Sequence, residues 1–291
     1  MKLHHLFMLA LAAVTPARAS LVAHYDFDTV GSNAGVSFTN EVTSGGVKFA
    51  NAGSRAAFDQ TCRRLGTGSL VLKNRGGSDT AGADGAVSNN TFDWGATGYN
   101  SDVRTVAFWV KAAVTQGDAN PTMISMGAGS TNGNRFDIRL SGGALRLEIQ
   151  GAGFTATNAL NDDTWHHVAI VVPNAASTLA NVKYYIDGNL IGNMTGTASI
   201  NTSTGPLRMG DSYMDTGRDF DGSLDDVRLY NEALNDTAVA ALYNNGVANR
   251  PGILCFNSTS TSIIIGQSLS LTWEVDPAAS SAEIDNGIGD I

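Results

Sequence analysis

The stretch Phe220–Asn245, which reads FDGSLDDVRLYNEALNDTAVAALYNN, organises the interpretation of this 291-residue chain. Its first half predicts a short strand, because apolar residues recur between Leu224 and Leu229. Two adjacent acids, Asp225 and Asp226, interrupt that strand. Nearly everything before this stretch has the pattern of strands and turns, so the stretch is interpreted as the end of a β-rich unit.

The second half of the stretch predicts one short helix. Asn235 is expected at the N-cap, because its side-chain oxygen can accept a hydrogen bond from a free N–H group of the first turn. Leu234 and Val239 are expected to pack together as a hydrophobic staple. Val239 shares a helical face with Tyr243, and Gly246 is expected to end the helix in a left-handed conformation.

Upstream, short strand-like runs alternate with turns rich in Gly, Asn, Asp and Ser. Phe136–Leu140 and Leu145–Ile149 alternate apolar and polar residues around Ser141-Gly142-Gly143, which predicts a hairpin. Thr105–Lys111 and Trp165–Val172 are apolar on both faces and predict central strands. Roughly a dozen such runs and one terminal helix predict an all-β sandwich of two antiparallel sheets.

Residues 1–19 have the pattern of a secretory signal peptide. Lys2 begins a basic region, Leu6–Val14 is an apolar core, and Ala17-Arg18-Ala19 is a small-x-small cleavage site. The apolar core is too short to span a bilayer, so no membrane insertion is expected. The net charge of −9 and the lack of a basic run argue against nucleic acid as a partner. We therefore expect a protein that is secreted, extracellular or on the cell surface.

A second strand pattern begins after a predicted linker at residues 247–251. Ile263–Ile265 is followed by apolar residues that alternate from Leu269 to Val275. About 40 residues are too few to form a stable domain alone. Residues 252–291 are therefore interpreted as the start of a second β domain, and the sequence as part of a longer protein.

The chain has two cysteines, Cys62 and Cys255. Export permits a disulfide. However, the two residues fall in different predicted domains, which favours two buried free thiols and leaves the disulfide as the alternative.

Several stretches, in a fixed order, resemble the laminin-G-like, concanavalin A-like jelly-roll domains of secreted bacterial proteins. They are His24–Asp28 (HYDFD), Thr105–Lys111 (TVAFWVK), Trp165–Val172 (WHHVAIVV) with Tyr185–Ile191 (YIDGNLI), and Phe220–Tyr243. The resemblance implies a two-sheet antiparallel jelly-roll sandwich over residues 20–246, often with a structural calcium ion and often with carbohydrate- or matrix-binding function. The tail, with Gly266…Trp273 and Ile284–Gly289, resembles the opening of a bacterial immunoglobulin-like domain.

The resemblance also implies calcium ligands, and calcium prefers carboxylate and carbonyl oxygens from loops. Asp28 matches the family's Phe-Asp at the end of the first strand, and Asn40 lies in the following loop, where the family often has Asp or Asn. Asp225 matches the first acid of the family's Ile-Asp-Asp/Glu-Val-Arg motif. Alternatively, Asp225 and Asp226 cap turns or pair with Arg228. An acid-rich run offers another set of ligands: Asp211, Asp215, Asp219 and Asp221.

Sugar-binding proteins stack sugar rings on exposed aromatic side chains and bind the hydroxyls with polar ones. Two loop-like stretches offer such residues. The candidates are Trp94 and Tyr99 in FDWGATGYNSD, and Tyr213, Asp215 and Arg218 in GDSYMDTGRD. Trp109 and Trp165 lie within strands and are expected in the core, which is also the alternative for Trp94.

No catalytic site is predicted. His166 and His167 are adjacent on a strand and therefore point to opposite faces, so they cannot hold one substrate together. Glu148 lies on a strand between apolar neighbours and is expected to be solvated. Glu283-Ile284-Asp285 lacks the second Glu that glucan hydrolases of the family place on the same strand.

The favoured function is therefore an exported, non-catalytic module that binds a polysaccharide or glycoconjugate, within a protein that has further domains downstream. A polysaccharide-degrading enzyme, either a lyase or a hydrolase, is the first alternative. A structural spacer domain is the second.

Overall fold

The computed structural model describes residues 21–28, 37–38, 49–51, 56–73, 85–88, 103–174, 177–213, 215–248, 253–258 and 270–275. The signal peptide, Asn40, Trp94, Tyr99 and the segment 276–291 lie outside the described residues. The described strands are β1 (Leu21–Tyr25), β2 (Ser37–Phe38), β3 (Phe49–Asn51), β4 (Ala56–Asp59), β5 (Ser69–Leu72), β6 (Ala86–Ser88), β7 (Arg104–Ala112), β8 (Thr122–Met126), β9 (Phe136–Ser141), β10 (Ala144–Glu148), β11 (Gly153–Ala159), β12 (Trp165–Val172), β13 (Lys183–Ile186), β14 (Asn189–Asn193), β15 (Arg208–Met209), β16 (Gly222–Tyr230), β17 (Ile253–Ser258) and β18 (Leu271–Val275). The helices are a 3-10 turn at Leu179–Asn181 and α1 (Asp236–Ala248).

Two antiparallel sheets form a sandwich. Sheet A has the strand order β14-β13-β12-β7-β16-β5-β4, with β1 also paired to β16, and sheet B has the order β11-β10-β9-β8-β15-β6-β3-β2. Their inner faces share one apolar cluster, in which Phe108 and Val110 of β7 meet Ile138 and Leu140 of β9. The predicted all-β, two-sheet antiparallel sandwich of the jelly-roll type is confirmed.

The predicted strand and helix of Phe220–Asn245 are both present, as β16 and α1. Asn235 caps the helix, because its Oδ1 accepts the N–H of Ala238 at 2.9 Å. Leu234 and Val239 are buried in one cluster on the outer face of sheet A, the face turned away from sheet B. That apolar contact fixes α1 against the sheet, as the hydrophobic staple predicts.

Gly246 does not end the helix, so that expectation is wrong. The helix continues to Ala248, and Gly246 is buried where α1 crosses the Trp109 indole. A Cβ atom at residue 246 would lie 2.6 Å from Nε1 and Cζ2 of Trp109, whose side chain is 1% exposed. The glycine is therefore required by close packing between helix and sheet and not by backbone conformation.

Cys62 and Cys255 form a disulfide, so the expectation of two free thiols is wrong. Cys62 lies between β4 and β5, and Cys255 lies in β17, so the bond joins the C-terminal hairpin (β17 and β18) to sheet A. Lys111 Nζ also lies 2.7 Å from a carboxylate oxygen of Glu274 in β18. The described tail residues form this one hairpin, and the immunoglobulin-like resemblance stays a prediction.

We expect Gly246→Ala to destabilise the protein by about 1–3 kcal/mol, because the new methyl group would overpack the interface with Trp109. Intrinsic helix propensity alone would give the opposite sign, since Ala is favoured over Gly by about 1 kcal/mol within a helix. Urea unfolding followed by fluorescence measures the change. Asn244→Ala, at an exposed position of the same helix, is the control and should change stability by less than about 0.5 kcal/mol. A Gly246→Ala protein that is as stable as the parent would contradict the packing explanation.

Candidate functional site

The outer face of sheet B, turned away from sheet A, carries charged residues in register. In β9, Asp137 and Arg139 alternate with inward-facing apolar residues, and β10 sets Glu148 opposite Asp137 and Arg146 opposite Arg139. Residues directly opposite in antiparallel strands lie on the same face. We call the following set the polar face: Ser125, Arg135, Asp137, Arg139, Arg146, Glu148 and Arg208.

The segment 210–221 lies on the polar face and buries much of it. Asp215 Oδ2 lies 2.7 Å from Nη1 of Arg135 and 2.9 Å from Nη2 of Arg218. Ser212 Oγ donates a hydrogen bond of 2.9 Å to Asp137 Oδ2. As a result, Arg135 and Asp137 are almost fully buried although their strand lies at the surface of the sandwich.

Glu148 belongs to an ion-pair network, so the expectation that it is solvated is wrong. Its Oε2 accepts hydrogen bonds of 2.8 Å from both Arg139 and Arg146, and only 14% of its side chain is exposed. Burial alone would raise the pKa of Glu148, but the two guanidinium groups outweigh it and hold the pKa below its usual value. Burial raises the pKa of Asp137, although the charge of Arg135 and the hydrogen bond from Ser212 oppose that shift.

Three of the five candidate sugar-binding residues lie in the covering segment 210–221, and each contacts an arginine or an acid of the network. The Tyr213 ring lies 5.0 Å from the Arg208 guanidinium, and Asp215 and Arg218 form an ion pair beside the same segment. Tyr213 and the Asp215 side chain are each 37% exposed. The segment therefore presents a partly exposed aromatic ring and carboxylate, and the less exposed Arg218 guanidinium is paired with that carboxylate. Trp94 and Tyr99 are not described.

The sequence prediction missed the charged residues that hold this segment. Arg135, Asp137 and Arg139 follow the period-two alternation of an outward strand face, which usually indicates contact with solvent. Their alternating signs, opposite a second charged strand, were the available signal of an ion-pair network. The sequence pattern carries no sign that residues 210–221 would cover them.

Two of the three predicted calcium ligands, Asp28 and Asp225, approach one loop between β4 and β5. Asp225 Oδ2 accepts the N–H groups of Arg64 at 2.8 Å and Leu65 at 2.9 Å. Asp28 Oδ1 accepts the N–H of Gly68 at 3.2 Å. Burial raises the pKa of Asp225 well above its usual range, and these N–H donors act in the opposite direction. Both acids therefore serve as acceptors for the loop backbone.

The acids of β16 make the contacts that the alternative interpretation expects. Asp226 lies 2.9 Å from Nη2 of Arg228 and 2.6 Å from Nε2 of His24. Asp225 caps backbone N–H groups, including that of Asp226 itself at 2.7 Å. Within the described ranges, no three His, Cys, Asp or Glu residues form a group suited to a metal ion.

The two adjacent histidines point to opposite faces, as predicted. His166 Nδ1 lies 2.9 Å from Asp187 and its Nε2 lies 3.2 Å from Asp162. His167 is buried, with its ring centroid 5.2 Å from that of Trp109. The His167 backbone N–H donates to Asp187 Oδ1 at 2.9 Å, but its imidazole lies on the opposite face of the sheet from that of His166, so the two rings form no shared site.

The environments of the two histidines shift their pKa values in opposite directions. The hydrogen bond to Asp187 raises the pKa of His166, although burial opposes it. Burial lowers the pKa of His167 to about 4.

A laminin G family model, described as the concanavalin A-like lectin/glucanases superfamily, matches residues 79–240. A stretch of 151 residues is 28% identical to adhesion G-protein coupled receptor V1 of Danio rerio. That match covers 48% of this chain and 2% of the receptor, so the chain spans a very small part of this relative. No helix among the described residues is long and apolar enough to cross a membrane.

Solved structures share the fold at low sequence identity. Domain 4 of an extracellular arabinanase from Geobacillus stearothermophilus, in complex with arabinotriose, has a TM-score of 0.53 at 21% identity, over 77% of this chain and 98% of that one. The receptor binding domain of botulinum neurotoxin type G has a TM-score of 0.54 at 15% identity, over 78% of this chain and 51% of that one. At such identities the likeness shows the fold alone.

The adjacent histidines should make opposite contributions to stability as the pH changes. His167 has a lowered folded pKa, so the unfolded chain binds more protons and stability falls as the pH drops from about 6.5 towards 4. Between pH 7 and pH 5, His167→Gln should therefore lose about 2 kcal/mol less stability than the parent.

His166→Gln is the matched control. The folded pKa of His166 is raised, so its contribution is fully present below the unfolded pKa and is lost at higher pH. This variant should therefore lose more stability on acidification than the parent. Urea unfolding at both pH values measures the three proteins. Equal pH slopes for the two variants would contradict the assigned environments.

Proposed function

The chain belongs to the concanavalin A-like lectin/glucanases superfamily, and on that basis we propose that residues 20–246 form an exported, non-catalytic module that binds carbohydrate. The ligand would be a polysaccharide or glycoconjugate. The single observation that carries the proposal is the exposed Tyr213 ring beside the Asp215–Arg218 ion pair.

The chemistry of this segment suits a sugar. The apolar face of a sugar ring packs on an aromatic side chain, while its hydroxyls accept from a guanidinium and donate to a carboxylate. Arg135 and Arg208 hold Asp215 and Tyr213 in place from below. A surface that is already ordered loses less conformational entropy when a ligand binds.

The acids of the polar face support binding over hydrolysis. A glycosidase needs a protonated acid and a second carboxylate on either side of the scissile bond. Burial would raise the pKa values of Glu148, on the face, and of Asp215, in the covering segment, but their guanidinium partners hold both pKa values below the usual range. The pKa of Asp137 is raised, but that residue is 1% exposed and lies beneath Ser212. Neither kind of acid is well suited to protonate a bound sugar.

Several observations support export. The sequence begins with a signal-like segment, and the Cys62–Cys255 disulfide is of a kind that persists in oxidising compartments. The choice of ligand has separate support, because one structural neighbour was solved in complex with arabinotriose and another is a receptor binding domain. We therefore propose a secreted or cell-surface protein, and arabino-oligosaccharides among the first ligands to test.

Calcium binding by Asp28, Asn40 and Asp225 is a further proposal. Its support is that Asp28 and Asp225 both reach the loop of residues 64–68. A bound ion stabilises the folded state by mass action, so the melting temperature should be higher in calcium than in a chelator. Asp28→Asn should reduce that difference, whereas Asp59→Asn, in β4, should not. Equal melting temperatures in calcium and in chelator would refute the proposal.

Tyr213→Ala should weaken glycan binding about tenfold, because the stacking surface for the sugar ring is removed. A glycan array identifies the ligand, and titration calorimetry measures the affinity of both proteins. Ile191→Ala is the control, since Ile191 is an equally exposed apolar side chain on β14 of sheet A.

Two outcomes would replace the proposal. Release of reducing sugars or unsaturated uronates, abolished by substitution of one loop carboxylate, would establish the enzyme alternative. A folded protein that binds no glycan and releases no product would favour the spacer alternative.

A further inference from the structure

A cleft of about 220 Å³ lies at an end of sheet B, and none of its lining residues belongs to the segment 210–221. It is formed by the turn before β9, the turn between β10 and β11, and the segment 198–201. The residues that line it are Asn132, Gly133, Gln150, Gly151, Ala152, Ala198, Ser199 and Asn201. We call it the amide cleft.

Backbone hydrogen bonds hold the three segments together at Gly133. Its N–H donates to the carbonyl of Gln150 at 3.0 Å, and its carbonyl accepts the N–H of Asn201 at 3.1 Å. Gly133 has a φ of 86°, and a Cβ atom there would lie 2.7 Å from the carbonyl oxygen of Ser199. The cleft is therefore built around a position that only glycine fits, and its shape does not depend on a ligand.

The lining of the cleft is mixed: apolar atoms supply more of its surface than polar atoms do, and none of the lining side chains is charged. Three carboxamides, those of Asn132, Gln150 and Asn201, supply both donors and acceptors. No residue in the described part of the chain forms a hydrogen bond with these three side-chain amides. The methyl groups of Ala152 and Ala198 belong to the apolar part of the lining.

This chemistry matches a neutral, hydroxyl-rich ligand. A sugar hydroxyl both donates and accepts, so it can pair with either end of a carboxamide. A charged group would lose hydration in the cleft without meeting an opposite charge. The volume is below the range of about 300–1,000 Å³ that is typical of sites for drug-sized molecules, so it suits a single ring.

We propose that the amide cleft is a second carbohydrate subsite, which takes one neutral sugar ring through Asn132, Gln150 and Asn201. The inference rests on the proposed function, because it assumes that the module binds glycans. It adds a binding position that shares no residue with Tyr213, Asp215 or Arg218.

The test follows ¹H–¹⁵N spectra of the whole chain during titration with about 10 mM arabinotriose or cellotriose as neutral probes, and with trigalacturonate as the charged probe. The side-chain NH₂ signals of Asn132, Gln150 and Asn201 report on the cleft directly. The variant is Asn132→Ala combined with Asn201→Ala, both at exposed positions. Asn244→Ala, an exposed amide on α1, is the matched control.

We expect a neutral trisaccharide to shift the three amide signals, with a dissociation constant that rises about fivefold or more in the double variant. Asn244→Ala and Tyr213→Ala should leave that constant unchanged. The inference would be overturned if none of the probes shifts the amide signals, or if trigalacturonate alone shifts them. So would an unchanged dissociation constant in the double variant.

The outcomes also separate this inference from the proposed function. If Tyr213→Ala abolishes array binding while the cleft signals stay still, the inference fails and the proposed function stands. If the cleft signals shift while Tyr213→Ala binds the array as before, the Tyr213 site fails and the amide cleft stands.

Discussion

The buried carboxylate of Asp225 ties the centre of sheet A to the loop between β4 and β5. It is fully buried, and it accepts N–H groups from Arg64, Leu65 and Asp226. A carboxylate in that position would be costly without such partners, so strand and loop order each other. The strand departs from regular pairing between Asp225 and Arg228, where Asp226 has a φ of 48°. The same loop then sets the Arg64 guanidinium 4.0 Å above the Trp109 ring.

The two sheets cover their outer faces by different means. On sheet A, α1 packs apolar residues such as Val239 against Tyr185 and Tyr230. On sheet B, the covering segment is held by ion pairs such as Arg135–Asp215 and also by backbone hydrogen bonds to β8. Salt screens partly exposed ion pairs, whereas apolar packing has no charge for it to screen. The charged groups of the segment 210–221 can therefore exchange an intramolecular partner for a ligand. The Tyr213 ring of the candidate site lies in this segment.

Local patterns predicted the elements well, because their causes are local. The cap at Asn235 and the hairpin after β9 depend on residues a few positions apart. The sequence could not predict the role of Gly246, because that role is a contact with Trp109, more than a hundred residues earlier in the chain. A glycine near a helix end is equally consistent with a left-handed terminus and with close packing against a neighbouring side chain. Alternation placed Glu148 on the correct face of its strand but could not show that arginines and a loop would enclose it. The Cys62–Cys255 pairing depends on where the tail packs against sheet A, and the spacing of the two cysteines in the sequence does not predict that position.

The disulfide also closes a covalent ring that begins at Cys62 and ends at Cys255, 193 residues later. All strands from β5 to β16, together with α1, lie inside this ring. Tension applied along the chain from beyond the hairpin passes through the two sulfur atoms and continues toward the N-terminus, so the enclosed residues carry no load. In sheet A, the strands on the load path are β1 and β4, which pair with β16 and β5. In sheet B, β2 and β3 also lie on this path, and β3 pairs with β6. Resistance to end-to-end pulling therefore comes from the pairings of these N-terminal strands, and α1 is shielded by the ring.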